Sequence, residues 1–89
     1  MGHLPIPADI FFKDFGFDLM EYRVERHQRF VGSFKGLLNK DEDGKHIAFL
    51  MDANVQTDDY LVGDVKTYVV ERVDYDYYNG ERSLLKAYY

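Results

Sequence analysis

Over most of this chain, hydrophobic and polar residues alternate with a period of two, which is the pattern of β-strands that bury one face. Met20, Tyr22 and Val24 alternate with charged residues and predict a first strand from Phe17 onward. Further strands are predicted over residues 30–38, 46–51, 60–62, 65–73 and 81–89. The almost continuous apolar run over 46–51 predicts a central position in the sheet. The segment 60–62 is expected to form a short edge strand or half-turn, and 65–73 the longest strand, with an extension toward Tyr75.

Polar segments and glycines predict where the chain turns. Polar turns or loops are expected at residues 26–29, 39–45 and 52–59. Gly63-Asp64 predicts a further corner, and Asn79-Gly80 is the strongest hairpin signal because this dipeptide suits the left-handed backbone of a type I′ turn. Gly32 and Gly36 interrupt the second predicted strand and favour a bulge or sharp bend.

A different period appears near the start of the chain. Ile10, Phe11 and Phe15 share one face at helical spacing, and Pro7 and Gly16 stand where a two-turn helix would begin and end. The sequence therefore predicts a mainly β protein, a small antiparallel β-barrel or sandwich of five to six strands with one short N-terminal helix. All 89 residues are expected to form a single domain.

Composition limits how this domain can be stabilised and where it works. The chain has no cysteine, so neither a disulfide nor a thiolate metal site is available. The longest wholly apolar run, Ile47–Met51, is far shorter than the roughly 20 residues that span a bilayer. No basic segment followed by an apolar one predicts a signal peptide. We expect a soluble, intracellular protein that does not contact a membrane.

Charge is distributed unevenly along the chain, whose formal net charge is −5. Basic residues exceed acidic ones over 21–36, whereas acidic residues predominate over 41–76. This asymmetry is typical of a solvated surface, and it also suits head-to-tail self-association or docking on oppositely charged partners. The acidic excess disfavours nucleic-acid binding, which depends on neutralising phosphates.

One segment partly matches a calcium-binding loop. Asn39, Asp41, Asp43 and Gly44 occupy positions 1, 3, 5 and 6 of such a loop. Position 12, which requires a bidentate glutamate, falls on Leu50, and strands rather than helices flank the segment. A charged hairpin turn is the better interpretation.

Other residue types that carry chemistry do not combine into a site. The three histidines, His3, His27 and His46, lack metal-ligand spacing; His46 is expected to be structural and His27 exposed. Neither Ser33 nor Ser83 stands in a nucleophile elbow. Asp58-Asp59 is interpreted as a pair of solvated turn carboxylates rather than an acid–base pair. We therefore expect no enzyme, cofactor, metal or small-molecule substrate.

Tyrosines accumulate toward the C-terminus, at positions 75, 77, 78, 88 and 89. A single-strand-binding barrel would use such rings for stacking, but it also needs a basic groove. Here Asp74 and Asp76 lie among them. Half of the rings are expected in the core or in cross-strand pairs, and the others in protein–protein contacts.

Three segments together resemble the small head–tail connector (stopper, or head-closure) proteins of long-tailed bacteriophages and prophages. They are Ile10–Gly16 with its Asp-Phe-Gly end, Phe34–Asn39 with its Gly-Leu-Leu turn, and Asp52–Val73 with its polar loop, Gly-Asp corner and Tyr-led strand. They follow the family's order over nearly the whole chain. Many relatives have a longer glycine-containing turn after the Gly-Asp corner, whereas Val65-Lys66-Thr67 connects the two parts directly here.

The resemblance implies a structural protein of the virion, found there or in the bacterial cytoplasm during assembly. Family members form a ring, usually sixfold, beneath the portal and adaptor of the capsid. They retain the packaged DNA, without reading its sequence, and present a docking surface to the tail. Implied partners are therefore portal, adaptor and tail proteins and other copies of the chain.

The candidate residues for these contacts form two sets. Loop side chains expected to face the channel or a partner are Asp41, Glu42, Asp43, Lys45, Asp58 and Asp59. Side chains expected between subunits are Arg23, Arg26, Arg29, Tyr77, Tyr78, Tyr88 and Tyr89. The alternative functions are a small acidic phage-encoded inhibitor that mimics nucleic acid to block a host defence protein, and a host interaction module unrelated to phages.

Overall fold

Seven antiparallel strands in one sheet make up the part of the chain that the computed structural model describes, residues 19–89. They are β1 Met20–Arg26, β2 Arg29–Asp41, β3 Gly44–Leu50, β4 Tyr60–Val62, β5 Thr67–Val69, β6 Arg72–Tyr78 and β7 Glu81–Tyr88. Their order across the sheet is β5-β4-β1-β2-β3-β7-β6. The mainly β prediction is confirmed, whereas the predicted helix over residues 7–16 lies outside the described residues.

The seventh strand arises because the predicted long strand is divided. Val70 N–H donates to the Asp59 carbonyl over 2.9 Å, and Glu71 N–H donates to the Tyr88 carbonyl over 2.7 Å. The chain therefore changes hydrogen-bonding partners between these two residues, from the β4 side of the sheet to the β7 side. The prediction of one strand over 65–73 is wrong, because alternation reports burial and does not report which strand is the neighbour.

This division also curls the sheet. β5 and β6 stand at opposite ends of the strand order, yet only Val70 and Glu71 separate them along the chain. Three Cα–Cα steps span at most about 11 Å, so the two edges must come close together. The sheet is nevertheless not closed into a barrel, because no ladder joins β5 to β6 among the described residues. The expected barrel or sandwich of five to six strands is thus a curled sheet of seven.

The concave face of the sheet holds the core. Tyr22 and Val24 are fully buried on β1, as their alternation predicts, and Tyr22 makes edge-on ring contacts with Phe49 and Tyr68 at 5.9 and 6.1 Å. The other buried members are Ile47, Phe49, Ala53, Val55, Leu61, Val70, Leu85 and Ala87. Each large side chain contributes about 1.5–3 kcal/mol by leaving water. β3 lies inside the sheet between β2 and β7, as predicted.

Two-residue turns with positive φ at both positions close two of the hairpins. His27-Gln28 has φ values of 53° and 64°, and Asn79-Gly80 has values of 54° and 79°. Both predicted turn positions are confirmed, and both have the left-handed backbone of a type I′ turn. The turn expected over 39–45 is shorter than predicted, because β2 continues to Asp41 and β3 starts at Gly44. β2 is consequently the longest strand, with 13 residues.

The two glycines of β2 act differently. The register of β1 and β2 shifts beside Val24 and Gly32, which confirms a bulge there. A Cβ on Gly36 would stand 2.6 Å from Ile47 Cγ2 and 2.8 Å from Phe49 Cε1. Gly36 therefore allows the backbone of β2 to lie directly against core side chains.

Within residues 19–89 no helix is long and apolar enough to cross a membrane.

Candidate functional site

Four adjacent strands bring polar side chains together at one end of the sheet. Asp41 ends β2, His46 lies on β3 opposite Tyr88 of β7, and Lys86 and Asp76 come from β7 and β6. Tyr88 Oη donates to Asp41 Oδ2 over 2.7 Å. Lys86 Nζ lies 3.3 Å from Asp41 Oδ2 and 3.1 Å from Asp76 Oδ1. These five residues are called the Asp41 cluster below.

Hydrogen bonds fix the charges of this cluster. Burial alone would raise the pKa of Asp41, but hydrogen bonds from Tyr88, the Asp43 N–H and Lys86 lower it to about 2. Burial would lower the pKa of Lys86, but its bonds to Asp76 and Tyr88 raise it above the usual lysine range. Burial raises the pKa of Tyr88, and its bond to Asp41 adds to the rise. At neutral pH a carboxylate, an ammonium group and a protonated phenol thus cross-link the strands.

His46 lies beneath this cross-link. It is 2% exposed, and its Nδ1 stands 3.7 Å from Asp41 Oδ2 without a hydrogen-bond partner among the described residues. Burial lowers the pKa of His46, although Asp41 opposes that shift. The ring packs 5.0 Å from that of Tyr88. His46 is buried in the sheet, in keeping with the structural role expected of it, and His27 is exposed as expected.

The Asp41 cluster opens on a small cleft. All members of the cluster except Tyr88 line this cleft together with Asn39, Ala48 and Leu84, and its volume is about 300 Å³. Arg72 lies over the Tyr88 ring, with its guanidinium carbon 3.8 Å from the ring centre. Residues 19–89 contain no group of three or more histidine or acidic side chains placed to hold a metal ion.

A second polar contact fixes the loop over 52–59. Arg26 donates from Nε and Nη2 to the two carboxylate oxygens of Asp59 at 2.8 and 2.7 Å, and Nη2 also reaches Asn54 Oδ1 at 3.0 Å. The Gln56 N–H donates to Asp59 Oδ2 over 2.8 Å. Asp59 is only 1% exposed, so its interpretation as a solvated turn carboxylate is wrong. Asp58 beside it is exposed.

Large apolar side chains occupy the outer face at the other end of the sheet. Val69, Tyr60 and Phe30 are 49%, 48% and 59% exposed. The strand registers place Val69 opposite Tyr60, Tyr60 opposite Glu25, and Glu25 opposite Phe30. Arg23 lies beside this line, its guanidinium carbon 5.4 Å from the centre of the Phe30 ring. Val69, Tyr60 and Phe30 are called the apolar row below.

Sequence reasoning missed the apolar row. Each of its members lies in a predicted strand or beside one, and none is unusual by itself. Their alignment depends on the registers of β5, β4, β1 and β2, and the bulge in β2 sets the position of Phe30. The signal that could have shown the row is the apolar side chains of Phe30 and Tyr60, which stand on the same face as the charged Arg23 and Glu25.

The predicted site residues divide between these regions. Asp41 and Tyr88, which were expected in different contacts, bond to each other, and Arg26 bonds to Asp59. Tyr88 is buried, and Tyr89 packs against Tyr68 with ring centres 4.5 Å apart and ring planes inclined by 59°. Exposed candidates are Arg23, Arg29, Glu42, Asp43, Lys45, Asp58 and Tyr77, and Tyr78 is half-buried.

Comparisons with known proteins add nothing to this geometry, since no protein-family model, curated protein or solved structure matches the chain. The resemblance to the connector family therefore rests on the sequence pattern alone. A function for this chain has to be argued from the surfaces described above.

Proposed function

We propose that this chain is a structural protein of a phage or prophage that forms a ring between the portal–adaptor complex and the tail and closes the DNA exit channel. The observation that carries the proposal is the apolar row, Val69, Tyr60 and Phe30, on the outside of the sheet. Outer faces of antiparallel sheets are normally polar, and apolar side chains that line up there mark contacts with other proteins.

The surroundings of the row suit a subunit contact. Arg23 packs on Phe30, and Arg29, at the start of β2, is exposed and makes no ion pair within residues 19–89. Tyrosine and arginine are the side chains that most often dominate the energy of protein interfaces. The edge strand β5, which carries Val69, continues the row to the border of the sheet.

The two ends of the subunit differ, so each can meet different surroundings in a ring. β2 runs from Arg29 beside the apolar row to Asp41 in the Asp41 cluster, roughly 40 Å at about 3.3 Å per residue. A contact between two different surfaces of one subunit is heterologous and closes into a ring when the rotation permits. The acidic end, including Glu42 and Asp43, would face the channel, where negative charge lets DNA slide without binding.

Deleting the gene from the encoding phage or prophage tests this function. We expect heads that package DNA but carry no tails and then lose that DNA, together with free tails. The wild-type gene supplied in trans should restore normal tailed particles. Electron microscopy and quantitative PCR of nuclease-treated particles measure these outcomes. Normal tailed particles from the deletion strain would exclude the proposal.

The acidic end also favours a second candidate, an inhibitor that mimics nucleic acid. Arg72 Nη2 lies 3.5 Å from the Asp43 carbonyl, so the carboxylates of the β2–β3 turn adjoin those of β6. Gel filtration with DNA-binding defence proteins of the host separates the two functions. A mimic forms a complex that dissociates in high salt and competes with DNA, whereas a connector protein forms none.

A further inference from the structure

β6 forms one border of the sheet. It is seven residues long and pairs with β7 on one side, and no segment of residues 19–89 pairs with its other side. In an antiparallel strand every second residue directs its N–H and C=O groups away from the neighbour. Such an edge is a template for another extended segment unless its side chains oppose pairing.

One face of this edge carries two carboxylates, Asp74 and Asp76, and one guanidinium, that of Arg72, which lies 3.7 Å from Asp74. Asp74 and Asp76 alternate along β6 opposite Lys86 and Leu84, and their side chains are 51% and 52% exposed. Lys86 contacts both Asp76 and Asp41, so one ammonium group is shared between two carboxylates. A second cation placed beside Asp76 would therefore also lie close enough to Asp41 to be attracted by it.

A second copy of the chain does not suit this edge. The antiparallel register that pairs all seven residues places Asp74 of one copy opposite Asp76 of the other, twice. Like charges directly opposite each other destabilise a strand pair. The carboxylates thus disfavour self-pairing and favour a segment of opposite charge.

We propose that the edge of β6 left unpaired within residues 19–89 binds an extended segment of a partner protein, as an eighth strand. This segment carries lysine or arginine at alternate positions. Backbone hydrogen bonds supply the affinity, and Asp74 and Asp76 select the basic side chains opposite them. The proposal does not depend on the connector function, because the residues that it uses, Asp74 and Asp76, do not belong to the apolar row.

Synthetic peptides added to the full-length chain test the proposal. The first probe is the heptapeptide Thr-Lys-Val-Lys-Val-Lys-Thr, and its control replaces each lysine with glutamate. Calorimetry measures affinity, and hydrogen exchange followed by NMR locates the contact. We expect the basic peptide to bind at least about tenfold more tightly, since two exposed charge pairs change from attractive to repulsive. Amide protection should rise within residues 72–78.

Two backbone-methylated peptides separate strand addition from general charge attraction. One carries methyl groups on the odd backbone nitrogens of the basic peptide, and the other on the even nitrogens. Only one set of N–H groups faces β6, so one peptide should bind normally and the other should lose at least about tenfold in affinity. Equal affinities for both methylated peptides would overturn the proposal.

Charge reversal completes the test. Asp74→Lys with Asp76→Lys should reverse the preference, so that the glutamate peptide binds and the lysine peptide does not. The matched control is Asp52→Lys with Asp64→Lys, which changes the net charge equally at exposed positions away from β6. Asp74→Lys alone, which leaves the Lys86–Asp76 contact intact, shows the same trend if the double variant unfolds. Failure of the basic peptide to bind wild type, or an equal effect of the control pair, overturns the inference.

Discussion

Asp41 connects the β2–β3 turn to β7 through a single carboxylate. The free energy of unfolding therefore depends on whether this carboxylate is ionised. Its folded-state pKa of about 2 is lower than the ordinary value of 3.8. The folded protein therefore favours the charged form, so the contribution of Asp41 is complete above pH 3.8 and is lost as the pH falls through about 2. The carboxylate is about one-third exposed, so solvent screening limits this contribution to about 1 kcal/mol.

The variant Asp41→Asn should be less stable than wild type at pH 7, and the difference should shrink as the pH falls from about 4 toward 2. The loss at pH 7 should be about 1 kcal/mol, because the amide cannot attract Lys86 as the carboxylate does. Urea unfolding at several pH values between 2 and 7 measures the difference. Asp43→Asn, in the same turn with an exposed side chain, is the matched control. A wild-type-like pH profile for Asp41→Asn would contradict the assignment.

Asp59 should matter more than its exposed neighbour Asp58. The carboxylate of Asp59 is buried and accepts hydrogen bonds from Nε and Nη2 of Arg26 and from the Gln56 N–H. Removing one partner of a buried ion pair leaves the other charge unpaired, so Asp59→Asn should destabilise the fold by about 3 kcal/mol. Asp58→Asn should cost less than about 0.5 kcal/mol, since asparagine tolerates its φ of 74°. Thermal unfolding of both variants checks this, and equal effects would refute it.

At the scale of elements, the two type I′ hairpins have the same turn geometry, but their turn residues differ in how well they tolerate positive φ. Gln28 has a side chain at φ 64°, whereas Gly80 takes φ 79° without steric cost. Replacing His27-Gln28 with Asn-Gly should stabilise the protein by about 1 kcal/mol. The reverse exchange, Asn79→His with Gly80→Gln, should destabilise it by a similar amount. Urea unfolding of both variants measures the two effects, and changes of the same sign would contradict the explanation.

The same elements show which features of the fold can be predicted from the sequence. Tyr22 and Val24 lie in a strand whose alternation is local, and the turn at Asn79-Gly80 depends on two neighbouring residues, so both were predictable. The change of partner at Val70 depends on which distant strand lies alongside, and the burial of Asp59 depends on Arg26, 33 positions away. Neither leaves a periodic signal. Features of the candidate site are largely of this second kind.

At the scale of the whole molecule, the curled sheet separates two surfaces. The line from Val69 to Phe30 crosses β5, β4, β1 and β2, whereas the Asp41 cluster joins β2, β3, β7 and β6. β2 is the only strand of the described sheet that belongs to both. One surface is apolar with arginine beside it and the other is acidic, so the two suit different surroundings, as the proposed position in a ring around the DNA channel requires.

The apolar row should therefore be needed for assembly and not for folding. Phe30→Ser with Tyr60→Ser removes two half-exposed side chains, so the free energy of unfolding should fall by no more than about 1 kcal/mol. Thermal unfolding measures this change. In complementation of the gene deletion, we expect this variant to be absent from particles and to restore no tailed phage. Leu38→Ser, a similarly exposed apolar position on β2 outside the row, should complement normally. Full incorporation of the double variant, as measured by mass spectrometry of purified particles, would show that assembly uses another surface.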